Sequence, residues 1–258
     1  MRFVITGAAS GIGRACAELL AGGRIIAGEH HMLLVDRDAA NLEQVASAIG
    51  DRAAAAVVDL SDPDCGEKIV AAAIAHMDGI DVVISNAGII AAGALASLNV
   101  ADFDRMYSIN TRAAWLLARA AYPHLKRSRG TFVATASMSA TQPTPALGFY
   151  SSSKAALLML VRQLSVEWGP DGIRCNTVSP GPTYTPMTAQ GYDNPAMRDQ
   201  REANIPLRKL GVAEDVAKVI LFLAGPDAGH VSGIDVLVDG GMSNMLMPAS
   251  GGGTGQGK

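Results

Sequence analysis

Short apolar runs alternate with longer stretches of helical character along nearly the whole chain. The runs predict strands at residues 3–6, 32–35, 54–58, 81–85, 131–135, 173–178 and 236–238. The stretches between them predict helices at 11–20, 39–49, 66–77, 100–125, 152–168 and 213–224. Most of the strands are continuously apolar instead of alternating, the pattern of strands covered on both faces. Strand–helix alternation from end to end predicts an α/β fold, a parallel sheet with helices on both sides. No linker-like interval and no internal repeat divides the chain, so a single domain over residues 1–247 is expected.

Two segments depart from this rhythm. Residues 180–210 are rich in Pro, Thr, Met and polar side chains and show no clear strand. A stretch of that length inside a compact domain reads as a substrate or lid loop. Residues 248–258, with seven small or polar residues from Gly251 to Gly257, read as a flexible tail.

Composition narrows the function. With 49% hydrophobic and 17% charged residues over 258 positions, the chain has the make-up of a well-buried globular protein. A net charge of −3 offers no basic face for nucleic acid or anionic lipid. The longest nearly apolar stretch, 89–98, is too short to span a bilayer. Cys16, Cys65 and Cys175 are far apart, and no His or Cys set has metal-ligand spacing, so no metal is expected. His30 and His31 read as loop and strand-edge residues. A cytoplasmic location is the expectation.

The first strand runs into Thr6-Gly7-Ala8-Ala9-Ser10-Gly11-Ile12-Gly13, which opens a helix. Glycines in that context let the backbone approach a dinucleotide diphosphate, and the helix amino terminus offers it free N–H groups. Asp36, 23 residues past Gly13, stands at the end of the second strand, where a carboxylate accepts hydrogen bonds from ribose hydroxyls. It would repel a 2′-phosphate, which favours NAD over NADP; Arg37 is assigned to stacking or solvent. Asp59-Leu60 and Asn86-Ala87-Gly88 fall at the carboxyl edge of the same sheet. Asp59 could receive the adenine amino group, and Asn86 could tie strands together beneath the cofactor.

Tyr150 and Lys154 stand one helical turn apart, with Ser137 thirteen residues earlier. A tyrosine of ordinary pKa is a poor base at neutral pH, but a neighbouring ammonium and a positive nicotinamide ring both favour its phenolate. Tyr150 could then exchange a proton with an alcohol oxygen that Ser137 holds by hydrogen bonding.

In these motifs, in their order and in the later Asn176-x3-Pro180-Gly181 and Asp239-Gly240-Gly241, residues 2–242 resemble the short-chain dehydrogenase/reductase family, in its shorter single-domain branch. The resemblance implies a Rossmann-type doubly wound sheet of seven parallel strands. It also implies a catalytic tetrad of Asn110, Ser137, Tyr150 and Lys154, with Asn110 seating a water that links Lys154 to solvent. The cofactor contacts it implies are Gly7, Ser10, Gly11, Ile12, Gly13, Asp36, Arg37, Asp59, Leu60, Asn86, Ala87, Gly88, Tyr150, Lys154, Pro180, Gly181, Thr183 and Thr185. The chain departs from the family pattern in a longer connection between Gly13 and Asp36, in Ala140 and in Thr183.

The expected activity is hydride transfer between a secondary alcohol, or its ketone, and NAD. An NADPH-dependent 3-oxoacyl-thioester reductase is the alternative within enzymes. A non-catalytic dinucleotide-binding regulator is the alternative outside them, disfavoured by the retained tetrad. Ser139, Gln142, Phe149, Thr183, Tyr184, Met187, Tyr192 and Met197 are the expected pocket residues. Residues 155–161 are all apolar, and Trp115-Leu116-Leu117-Ala118 is similar. Those helices have more apolar surface than one sheet can cover, which predicts a homo-oligomer; the resemblance, in which the same two helices form the principal oligomer contact, implies a homotetramer.

Overall fold

The computed structural model describes residues 1–245 apart from Arg24; the predicted tail lies outside the described residues. Strands β1 (Arg2–Thr6), β2 (His31–Asp36), β3 (Ala53–Val57), β4 (Val82–Ser85), β5 (Thr131–Thr135) and β6 (Arg174–Pro180) are followed by the short pair β7 (Thr183–Tyr184) and β8 (Gly211–Val212), and then by β9 (Asp235–Val238). The central sheet has seven parallel strands in the order β3-β2-β1-β4-β5-β6-β9. The order reverses at β1, so the loops after β1 and β4 diverge and leave a crevice at the carboxyl edge.

Among the described residues, eight α-helices surround the sheet: α1 (Gly11–Ala21), α2 (Ala39–Ile49), α3 (Cys65–Met77), α4 (Val100–Tyr107), α5 (Ala113–Ser128), α6 (Tyr150–Trp168), α7 (Pro195–Ala203) and α8 (Ala213–Ala224). Successive residues of a strand face opposite sides, so Phe3 and Ile5 bury against α1, α2 and α8 while Val4 buries against α3, α5 and α6. No described helix is long and apolar enough to cross a membrane.

Three details differ from the pattern read in the sequence. The single helix expected at 100–125 is broken into α4 and α5 by a π turn, Ser108–Arg112, which contains Asn110. Helix α6 begins at Tyr150, two residues before its expected start. Segment 180–210 is not structureless: it carries helix α7, and its Thr183–Tyr184 strand pairs with Gly211–Val212. His30 also differs; it is buried, with Nε2 2.9 Å from the Ile26 carbonyl oxygen and its ring edge-on to Phe3.

The turn after β1 explains two of its glycines. Gly7 has φ +68°, a left-handed conformation that a side chain disfavours. Gly13, in the first turn of α1, lies directly against the Gly7 carbonyl group and Asn86 Nδ2, so a Cβ has no room there. Gly13→Ala should therefore cost about 1–3 kcal/mol of stability through overpacking. Urea unfolding measures it; a change under a few tenths would show that the contact yields freely.

Candidate active site

One cavity of about 630 Å³ runs along the carboxyl edge of the sheet, within the range of small-molecule and cofactor sites. Gly7, Ser10, Gly11 and Ile12 line it at the start of α1, Asp36 and Arg37 at the end of β2, and Asp59 and Leu60 after β3. Asn86, Ala87 and Gly88 line it after β4, Ser137 after β5, Tyr150 and Lys154 on α6, and Pro180, Gly181, Thr183 and Thr185 after β6. Every catalytic or cofactor-contact residue named from the sequence therefore borders this space except Gly13 and Asn110. Gly13 is buried beneath the turn and sets how closely α1 approaches the strand. This is the close helix–strand packing that the glycine turn requires.

Asp36 sits where the sequence suggested, despite the long connection before β2. Ile26 in that connection is buried in the core, so the extra residues are absorbed at the far end of α1. The Asp36 carboxylate accepts hydrogen bonds from the Ala9 N–H and the Asp38 N–H, each at 3.1 Å, and is thereby fixed to the glycine turn. Asp59 accepts from the Ser61 N–H at 2.8 Å; that bond, the Ser61 hydroxyl and the charges of Arg37 and Arg105 hold its carboxyl below the usual range.

Asn86 does what its position suggested. Its backbone N–H and that of Ala87 donate to Thr6 Oγ1 at 3.0 and 3.1 Å, and its Nδ2 donates to the Thr6 carbonyl at 3.2 Å. Thr135 Oγ1 donates to Asn86 Oδ1 at 3.0 Å. One side chain thus fastens β1, β4 and β5 under the cavity floor.

Helix α6 positions the tyrosine and the lysine. Gly148, at φ +57°, turns the chain, and Tyr150 becomes its first residue with Lys154 one turn along. Lys154 is 3% exposed, and its Nζ donates to the Thr135 carbonyl at 2.8 Å and stands 5.8 Å from the centre of the Tyr150 ring. Burial pushes its pKa down to about 8. Burial also raises the Tyr150 pKa, and the Ser137 hydroxyl pulls it the other way. Within the protein alone, burial therefore outweighs the lowering expected from the sequence; a cation arriving beside the phenol would have to supply it.

Asn110 lies below this pair. Its Oδ1 accepts from the Ile89 N–H at 2.8 Å, and its Nδ2 donates to the Ile89 carbonyl and to Ser153 Oγ, both at 3.0 Å. The side chain is committed to fastening the π turn to β4's loop and to α6. Ser153, which the sequence reading missed, also donates to the Tyr150 carbonyl at 2.8 Å, while Thr111 Oγ1 donates to the Ser153 carbonyl at 2.9 Å. A serine beside the lysine is too common a signal to single out.

Of the expected pocket residues, Ser139, Thr183, Met187 and Tyr192 line the cavity; Gln142, Phe149, Tyr184 and Met197 do not. Phe149 packs edge-on against Phe103 at 4.9 Å, and Tyr184 turns its hydroxyl to Asp193 at 2.8 Å. Gln142 and Met197 are exposed. Thr144, hydrogen-bonded to Ser139 at 2.7 Å, and Arg201 and Met242 line it instead.

A family model described as Enoyl-(Acyl carrier protein) reductase matches residues 7–243. The chain is 36% identical over 245 residues to 2-(R)-hydroxypropyl-CoM dehydrogenase of Xanthobacter autotrophicus, covering 92% of this chain and 96% of that one. The chain belongs to the short-chain dehydrogenase/reductase family. L-rhamnose 1-dehydrogenase (NAD(P)(+)) of Azotobacter vinelandii is 33% identical, with 93% and 95% of the two chains covered. Among solved structures, a 3-ketoacyl-(acyl-carrier-protein) reductase from Brucella melitensis complexed with NADH superposes with a TM-score of 0.87 at 31% identity, over 94% of this chain and 98% of that one. Membership makes this short-chain dehydrogenase/reductase an oxidoreductase of CH–OH groups.

The buried lysine has a consequence for stability. Lys154 loses its proton near pH 8 in the folded protein and near 10.5 when unfolded. Below pH 8 both states carry the charge, and the cost of burying it is fully present. Between these values the unfolded chain binds more protons, so this residue's contribution to stability rises with pH. Relative to Lys154→Met, the unaltered protein should gain stability from pH 8 to 10.5 in urea unfolding. A difference that stays flat or falls would contradict the buried, cationic assignment.

Proposed function

We propose that the protein is an NAD-dependent dehydrogenase of secondary alcohols, acting in reverse as a ketone reductase, with Tyr150 as the acid/base. The observation that carries this is the sharing of one cavity by the Ser137, Tyr150 and Lys154 side chains and by the glycine turn with Asp36. The crevice suits a dinucleotide: the start of α1 borders it, and no side chain caps the first N–H groups of that helix among the described residues.

The nicotinamide supplies the hydride acceptor when bound. The start of α1 holds the diphosphate, Asp36 takes the adenosine ribose, and Thr185, which packs over Gly11, closes that side. Lys154 spends one N–H on Thr135 and has two left for the other ribose and for the field at Tyr150. Ser137 donates to the alcohol oxygen and stabilises the charge growing there, while the Tyr150 phenolate receives its proton. Asn110 holds the π turn in register with α6, and the relay water remains an expectation from the family. Asp36 favours NAD because its carboxylate repels a 2′-phosphate.

We place the reaction in the cytoplasm, in keeping with three buried unpaired thiols. We also propose a homotetramer. On α5 and α6 the outward Trp115, Met159 and Val166 are 42%, 59% and 74% exposed, and monomers rarely leave such surface in water.

Tyr150→Phe should lower kcat by about 10²- to 10⁴-fold while NAD+ still binds; turnover within a few-fold of the unaltered enzyme, across a panel of secondary alcohols, would rule out the acid/base role. The kcat/KM with NAD+ should exceed that with NADP+, and Asp36→Ser should relax or invert the preference. Equal values in the unaltered enzyme would refute the NAD assignment. Light scattering should give about four times the 26.6 kDa of one chain, and a mass of one chain would refute the tetramer.

A further inference from the structure

The charged residues bordering the cavity fall into three groups. Asp36, Arg37, Asp38 and Asp59 stand at the β2 and β3 end, where the adenosine half is assigned. Lys154 is central, beside Tyr150. Arg201 alone comes from the opposite flank. Its helix α7 is tied down beyond β9: the Leu207 N–H donates to the Gly240 carbonyl at 3.2 Å, and buried Ile205 lies against Gly240. The sheet order thus puts Arg201 past the Ser137–Tyr150 position as seen from Asp36.

The guanidinium is also unspent. Arg198, one turn earlier, pairs with Glu202 at 3.2 Å, whereas Arg201 makes no ion pair and no side-chain hydrogen bond among the described residues. Tyr192, a half-buried neighbour on the cavity wall, feels the Arg201 charge at its phenol, against the upward push of burial. Met187 and Met242 border the same cavity. Arg201 is exposed where it borders the cavity, and an unpaired planar cation with a donor hydroxyl on the same cavity lining matches an oxyanion better than a neutral group does.

We propose that Arg201, assisted by the Tyr192 hydroxyl, receives an anionic group, a carboxylate or a sulfonate, carried by the substrate at the end remote from its alcohol. This rests on the reading of the cavity as a site for a dinucleotide and an alcohol. It makes Arg201 a specificity-determining residue, in contact with substrate and away from the proton transfer.

The test uses the full-length enzyme and alcohols of form CH3–CHOH–(CH2)n–X, with n from two to six and X a carboxylate, a sulfonate or a carboxamide. At the best chain length an anionic substrate should exceed its amide in kcat/KM about tenfold or more, mostly through KM, and Arg201→Gln should bring that ratio close to one. The better of the two anionic series identifies which oxyanion the site was built for. Calorimetry with hexanoate, hexane-1-sulfonate and hexanamide, in the presence of NAD+, gives a readout independent of turnover. Amides serving as well as anions at every length, together with anion binding unchanged by Arg201→Gln, would overturn the proposal. Arg201-dependent anion binding without oxidation of any alcohol would sink the dehydrogenase reading and leave the anion site standing.

Discussion

A continuous chain of hydrogen bonds joins the lysine to the glycine turn, and both halves of the site depend on it. Lys154 Nζ donates to the Thr135 carbonyl, the Thr135 hydroxyl donates to Asn86 Oδ1, and Asn86 Nδ2 donates to the Thr6 carbonyl just before Gly7. An ammonium withdrawn from water needs acceptors, and a strand-end carbonyl supplies one without a neutralising carboxylate. The charge is therefore kept available to the cavity. The same links fix the carboxyl ends of β1, β4 and β5 at one height, so the glycine turn and the helix that carries the tyrosine share a floor.

The π turn adds the second constraint. By breaking the long helix at Ser108–Arg112 it releases the Asn110 side chain to the Ile89 backbone and to Ser153, which in turn bonds the Tyr150 carbonyl. Wide turns of this kind cost helix stability and recur at functional sites. Here the cost is offset by a buried polar cluster whose members satisfy one another, fixing the first turn of α6 where a loose tyrosine would lose its alignment.

Much of this was legible in the sequence because its signals are local. A strand running into Gly7 and Gly11 has few other uses, and a Tyr–Lys spacing of four is one helical turn wherever the helix lies. Asp36 was legible for another reason: however long the connection before β2, the strand's register against β1 brings its last residue beside the glycine turn. The pocket wall was not legible. Gln142, Phe149, Tyr184 and Met197 belong to segments whose paths are set by distant contacts, such as Phe149 on Phe103 and Tyr184 on Asp193. Gly13 was legible as a required glycine, although close packing and ligand approach select the same residue and the sequence alone does not separate them. Arg201 gave no signal, because a helical arginine reads as a solvated face until the fold brings it to a cavity.

In the proposed reaction, a cation bound in this cavity reverses the effect of burial on Tyr150. Phenolate absorbance, followed against pH with and without saturating NAD+ and with Tyr150→Phe as the blank, tests it directly. Tyr150 should titrate at a clearly lower pH when NAD+ is bound. An identical titration with and without the dinucleotide would contradict it.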